Sequence, residues 1–433
     1  MQWDVIVIGA GASGLLAAIR AAEEGRRVLL LEKNKKPGVK ILMSGGSRCN
    51  LTHACDKRGI IEAYGEQGKF LHSALAGLGP QDVVDMVERE GVPTKVEATG
   101  KIFPVSNKSS DVLFALLRRL DRSGAKLCLG EPLRELTRSD SGWMLQTAGR
   151  ELHAANVILT TGGQSYPGCG TTGDGYRWAA KLGHTIHPLC PALVPLQIDH
   201  AGITSLSGIT LPDVAVSITE HRAGGASPLS APGEERAQGA CAPRSEKTLV
   251  TKRGSFLFTH FGCSGPVVLD VSRAVSGHPD PASLRLACDW LPEVKTEQLD
   301  EHFRQASVTT GKKPLTSVLG EWLPQRVVEM LLVEAGLPPD RKVAGLSKVE
   351  RQRLVQVMKC TKFPIRGTLG FAKAEVTAGG IDLAEVDSRT MHSKLAPGLF
   401  IAGEVLDLDG PIGGYNFQAA FSTGWLAGKL GRR

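Results

Sequence analysis

At 433 residues the chain exceeds the length at which a single hydrophobic core usually stops growing, so two or three structural units are expected. Apolar residues make up 42% and charged residues 22%, an ordinary soluble composition, and no run of eighteen apolar residues occurs, so no membrane-spanning helix is expected. The net charge of +7 leaves a polyanionic partner open.

The N-terminus, MQWDVIVIGAG, lacks the basic, apolar and small-residue regions of a secretory signal, and a cytoplasmic location is expected. Nine cysteines, odd in number and scattered without a C-x-x-C pair, read as reduced thiols, with no metal site expected. The first elements alternate: an apolar run at Val5–Ile8, a helical pattern over Ser13–Glu24, then Val28–Leu31. That is βαβ with a buried parallel sheet. Two amphipathic helices follow at Pro80–Glu90 and Ser109–Arg122, each opened by a start signal. Short strand-like runs lead to VILTTGG, and GDGYRWAAKLG reads as a glycine-opened helix.

Three prolines between Pro188 and Pro195 mark a domain exit. Residues 191–290 read as a small β unit, with a disordered Ala, Gly, Pro and Ser-rich loop at Ala223–Lys247. Residues 291–364 switch to helical periodicity. Within them and just beyond, Arg341–Arg366 holds eight Lys or Arg against Glu350 alone, which reads as a solvated basic helix or a phosphate-facing surface. After Pro364 the strand-like runs return, with Leu399–Gly403 as a strand and a helix from Tyr415, so 365–433 completes the domain begun by 1–190.

The strongest motif is Gly9-Ala10-Gly11-Ala12-Ser13-Gly14, between a strand and a helix. Gly9 permits the tight turn, Gly11 lets a pyrophosphate approach the backbone, and Gly14 lets helix and strand pack closely. The helix N-terminus then faces the phosphates with partial positive charge. Glu32 ends the second strand eighteen residues after Gly14, where a carboxylate binds ribose hydroxyls and repels a 2′-phosphate. FAD or NAD is expected rather than NADP. A second match, Gly168–Gly173, follows no suitable strand and reads as a glycine-rich active-site loop, with a nicotinamide site as the alternative.

Four further segments are informative: ILMSGGSRCNLTH (41–53), TTGGQSYPGCGTTGDGY (160–176), FLFTHFGCSGPVVL (256–269) and IAGEVLDLDGPIGGYNFQAAFSTG (401–424). With these the chain closely resembles the BaiN/RdsA (YhiN-like) family of FAD-dependent oxidoreductases over essentially its whole length, apart from the Ala223–Lys247 insertion. The resemblance implies an α/β fold: a Rossmann-like FAD-binding domain interrupted by an inserted β-barrel-like unit and a small helical unit. It implies Glu32 and Lys33 by the adenosine, Arg48, Cys49 and Asn50 beside the flavin, and Thr161 and Gly162 close to the cofactor. Gly403, Glu404 and Asp407 would approach the ribityl and pyrophosphate groups, and Gly414, Tyr415 and Asn416 the isoalloxazine edge. Leu133 completes the expected cofactor-binding set, together with Gly9, Gly11, Ala12, Ser13 and Gly14. Asp407 also reads as a turn cap.

Hydride chemistry at a flavin asks for an acid near the ring. Cys49, Tyr166, Cys169, His260 and Tyr415 lie within the motifs. Cys49 follows Arg48, which would lower its pKa and make it a catalytic thiol, or else it is a small packed residue; His260 reads as a structural, hydrogen-bonded histidine ahead of an acid. The family's named members reduce unsaturated steroid rings or uridine in ribosomal RNA. A reductase of a carbon–carbon double bond is therefore expected, with NADH or NADPH as donor and ribosomal RNA as the favoured partner. An RNA-binding or modification-complex protein with structural FAD, and an amine or aminoketone oxidase, are the other readings.

Overall fold

The computed structural model describes residues 2–140, 142–220 and 246–431. The expected loop Ala223–Lys247 lies outside them except for Glu246 and Lys247, and Lys247 already begins a strand. The chain divides into two compact units, Met1–Ala192 with Phe371–Arg433, and Leu193–Gly370.

The first unit is built on a parallel sheet. Strand Gln2–Ile8 lies between Val28–Glu32 and Glu151–Leu159, parallel to both. Lys126–Leu129 extends the sheet beyond Val28–Glu32, and Leu399–Ile401 pairs in parallel with the end of Glu151–Leu159. Val5, Ile6, Val7, Leu30, Val157, Ile158 and Leu159 have no exposed surface, as strands covered on both faces require. An antiparallel meander, Leu133–Ser139 and Gly142–Thr147, joins the other end of Glu151–Leu159. Helices Ala12–Glu23, Ser109–Ser123 and Tyr415–Ala427 pack together. The C-terminal segment thus supplies both a strand and a helix to the unit that the N-terminus begins.

In the second unit, among the described residues, six strands close a barrel: Leu196–Ile198, Gly262–Ser264, Lys247–Thr259, Thr210–Glu220, Leu284–Asp289 and Thr361–Thr368. Phe256, Phe258, Trp290 and Phe363 fill its interior, with Trp290 stacked on Phe258 at 5.7 Å. Helices Thr296–Thr309, Gln325–Glu334 and Lys348–Lys359 contribute Phe303, Leu331 and Met358 to that same core. The last barrel strand starts at Thr361, so Pro364 lies inside it rather than ahead of it. The paired strand shifts register between Gln197 and Ile198, beside this proline, the kind of irregularity at which a strand tolerates one.

Candidate cofactor site

The first strand runs directly into the glycine turn. Gly9 has φ +103°, and a side chain there would stand 2.7 Å from the Thr160 carbonyl oxygen. At Gly14 an added Cβ would lie 1.8 Å from Gly9 O. The Thr160 hydroxyl braces the turn, at 2.9 Å from Ile8 O and 3.0 Å from Gly9 O. Gly11 is different: nothing lies within 4 Å of where its side chain would be, and its φ of −81° suits any residue. Neither conformation nor packing asks for glycine here, so its bare Cα keeps room clear for a group that is not protein. Ala12 and Ser13 open helix Ala12–Glu23, whose N-terminus no side chain caps. Its first amides and positive dipole end therefore face the same opening. Ser13 Oγ is buried without a partner.

Glu32, 8% exposed, ties the turn to the second strand. Its Oε2 accepts the Ala10 N–H and its Oε1 the Asn34 N–H, both at 2.8 Å, leaving lone pairs for hydroxyl donors. The Glu131 N–H donates to Glu32 O, so the chain passes this point just before half-buried Leu133 opens the meander. Lys33 turns to Asp174 (2.7 Å) and Thr172 (2.6 Å), and Asn34 Nδ2 donates to Cys169 O at 2.8 Å. The Gly168–Gly173 loop is thereby fastened to the residues after Glu32. Thr161 and Gly162 leave the strand beside the Gly9 turn, with Thr161 Cα 3.2 Å from where a Gly9 side chain would begin.

Residues 41–53 fold as a kinked helix, Val39–Ser47, followed by a strained turn. Gly45, Gly46, Ser47 and Cys49 all have positive φ. For Ser47 and Cys49 this costs on the order of 1–2 kcal/mol each. The turn delivers Asn50, 8% exposed, with Oδ1 buried and unpartnered; Asp407 Oδ1 is orphaned in the same way. Gly403 abuts Ser13, 2.8 Å from Cβ to Cβ if it had one, and Glu404 is held by Lys40 (2.5 Å), the Ser165 hydroxyl (2.7 Å) and the Thr377 N–H (2.9 Å). Gly414 lies against Thr52, whose carbonyl oxygen would be 2.5 Å from a Cβ. Helix Tyr415–Ala427 starts there, again without a side-chain cap. Tyr415 stacks on His53 at 4.9 Å, and burial lowers the His53 pKa, favouring the neutral ring.

An open-sided glycine turn at the N-terminus of helix Ala12–Glu23, the helix N-terminus at Gly414, and the orphaned polar atoms of Ser13, Asn50 and Asp407, all in one Rossmann-type unit, fit a dinucleotide cradle. Comparison with known proteins agrees: a family described as HI0933-like protein Rossmann domain matches residues 3–430. The chain belongs to the HI0933-like Rossmann family. It is similar to the ribosomal RNA dihydrouridine synthases of Escherichia coli (32% identical over 428 residues, 98% of this chain and 96% of that one) and Haemophilus influenzae (33% over 428 residues, 97% and 96%). It is also similar to the 3-dehydro-bile acid delta(4,6)-reductase of Clostridium scindens (30% over 430 residues, 98% and 97%). This HI0933-like chain is accordingly an FAD-dependent oxidoreductase.

The residues present fit FAD. Gly11 leaves space, two helix N-termini offer amides, and Ser13, Asn50 and Asp407 each present a buried polar atom that the protein leaves unsatisfied. Several expectations need correction. Burial pushes the Cys49 thiol up to about 12, the reverse of an activated thiolate. Arg48 does not face it: the guanidinium pairs with Glu97 at 2.6 Å and lies 4.0 Å over the Phe103 ring. The Asn416 side chain accepts the Gly410 N–H and donates to Gly410 O, both at 2.9 Å, and so closes the loop ahead of its helix; the amide expected at the ring edge there is the backbone N–H. Burial also raises the Tyr166 and Cys169 pKa values. His260 sits exposed on a tight turn of the barrel unit, its ring edge on Phe261.

The basic run 341–366 is not a free stripe either. Arg341 pairs with Glu350, Arg351 with Asp300, Lys359 with Asp289, and Lys362 with Glu246, while Arg353 reaches Ala335 O. Sequence reasoning missed Lys40, His53, Thr160, Ser165 and Thr377. All but Thr377 lie in or next to the motif segments, and a polar residue inside an apolar motif was the available signal. Among the described residues no group of three or more His, Cys, Asp or Glu is placed to hold a metal ion, and no helix is long and apolar enough to cross a membrane.

Proposed function

We propose that this chain holds FAD between the Gly9–Gly14 turn, Asn50 and Asp407 and reduces a carbon–carbon double bond, with uridine in ribosomal RNA as the substrate. The observation that carries the cofactor is the unfilled side of Gly11 beside an uncapped helix. Near full-length similarity to two ribosomal RNA dihydrouridine synthases supports the substrate. Reduced FAD, when bound, supplies the hydride, and NADH or NADPH is the proposed source of electrons.

The protein's own part is binding and orientation. Gly11, Ala12 and the helix N-terminus take the pyrophosphate; Glu32 takes the adenosine ribose, with Lys33 and Leu133 alongside. Ser13, Gly403 and Asp407 serve the ribityl chain, with Glu404 held in place by Lys40. Arg48, Cys49, Asn50, Thr161 and Gly162 line the flavin side, and the backbone amides of Gly414, Tyr415 and Asn416 face the ring edge, where they stabilise developing negative charge. Cys49 acts there as a packed neutral thiol.

Deleting the gene tests the substrate. Ribosomal RNA from the deletion strain is expected to lack one dihydrouridine, restored by the intact gene; an unchanged modification profile overturns the reading. The 30% identity to the bile acid reductase supports a second reading, an unsaturated 3-oxo steroid ring, which predicts that unchanged profile.

A further inference from the structure

The barrel-and-helix unit contains a groove of about 1050 Å³, larger than most small-ligand pockets, and no aromatic side chain lines it. Two segments build it. Val343 N–H donates to Lys313 O, Ala344 N–H to Gly311 O and Leu315 N–H to Arg341 O, so 311–315 and 341–345 run side by side, with Pro314 opposite Lys342. This pairing gathers Lys312, Lys313 and Lys342, all exposed and none with a side-chain partner among the described residues. Arg341 lines the same groove; Glu350 holds one end of its guanidinium, and its Nε is buried without an acceptor. Asp340 is the one acid in the lining.

Lysines that merely answer the C-terminal dipole of helix Thr296–Thr309 would come from the residues following it. Lys342 comes from the other segment. Three unpaired cations converge on one open trough, in a unit that otherwise pairs most of its basic residues internally. We infer that this groove binds the phosphate backbone of an RNA strand. The inference rests on the proposed RNA substrate and adds the surface that would hold it. With no aromatic for a base to stack on, the groove reads phosphates, so binding there is insensitive to base sequence.

The test is fluorescence anisotropy of the full FAD-bound chain with a labelled single-stranded RNA oligonucleotide, over a series of salt concentrations. The variants are a triple Lys312→Glu, Lys313→Glu, Lys342→Glu and its milder triple Gln counterpart. A control carries Lys126→Glu, Lys348→Glu and Lys373→Glu, the same charge change at exposed lysines outside the groove. The Glu triple is expected to bind at least about 10-fold more weakly and to flatten the log affinity against log salt slope by about 2, with the Gln triple intermediate and the control near wild type. Oligo(A) and oligo(U) are expected to behave alike. Wild-type affinity in the Glu triple, an equal loss in the control, or no RNA binding by the wild type overturns the groove. Dihydrouridine formation by the wild type in ribosomal RNA is scored separately: if it occurs while the Glu triple keeps its affinity, the groove alone fails, and if it does not occur, the substrate reading fails.

Discussion

Gly11 and Gly14 stand three residues apart in one turn and serve opposite masters. A methyl group at Gly14 would collide with Gly9 O at 1.8 Å, so Gly14→Ala must displace backbone, whereas the same methyl at Gly11 meets nothing within 4 Å. Gly14→Ala is expected to lower the stability of the FAD-free protein by about 1–3 kcal/mol in urea unfolding. Gly11→Ala is expected to unfold like wild type and to weaken FAD by at least about 10-fold in a fluorescence titration. Equal unfolding midpoints for the two variants, or unchanged FAD affinity in Gly11→Ala, would contradict these roles. The packing role of Gly14 was legible in the sequence, because a glycine turn between a strand and a helix is specified within six neighbouring residues, and the same six residues carry the expectation for Gly11. Cys49 was not: whether Arg48 faces the thiol depends on Glu97 and Phe103, about fifty residues away, and burial is a property of the packed unit.

Elements repeat this division between local and distant determinants. Pro80–Arg89, Ser109–Ser123 and Asp174–Lys181 form where amphipathic periodicity and start signals expect helices. The left-handed turn before Asn50 and the Lys40–Glu404 pair, 364 residues apart, leave no such trace. The meander beside Glu32 carries a prediction of its own. Arg150 first, with Cys128 and Thr147, holds the Glu131 carboxyl down at about 2, against an unshifted value of 4.5. A carboxylate whose folded pKa is depressed stabilises the fold above its unfolded pKa, and that contribution disappears as pH falls towards the folded value, because the unfolded chain binds the proton first. Unfolding free energy is therefore expected to drop between pH 5 and pH 3, with a shallower drop in Glu131→Gln. Parallel pH profiles for the two proteins would remove Glu131 from that role.

For the whole molecule, the chain leaves the dinucleotide unit after Ala192 and returns to it at Phe371, adding strand Leu399–Ile401 and helix Tyr415–Ala427 to the sheet and helix of the first 32 residues. A return to strand-like runs after a helical stretch announced that re-entry in the sequence. The barrel was harder to read, because its closing strand follows four helices and contains a proline. The central proposal is that the cradle in this unit puts reduced FAD to work on uridine. Anaerobic single turnover tests it most directly and needs no knowledge of the natural electron donor: the FAD-bound chain is photoreduced and mixed with ribosomal RNA from a strain lacking the gene. Expected is return of the oxidised flavin absorbance together with one dihydrouridine per flavin reoxidised. Flavin that stays reduced in the presence of that RNA, or that reoxidises without dihydrouridine appearing, would contradict it.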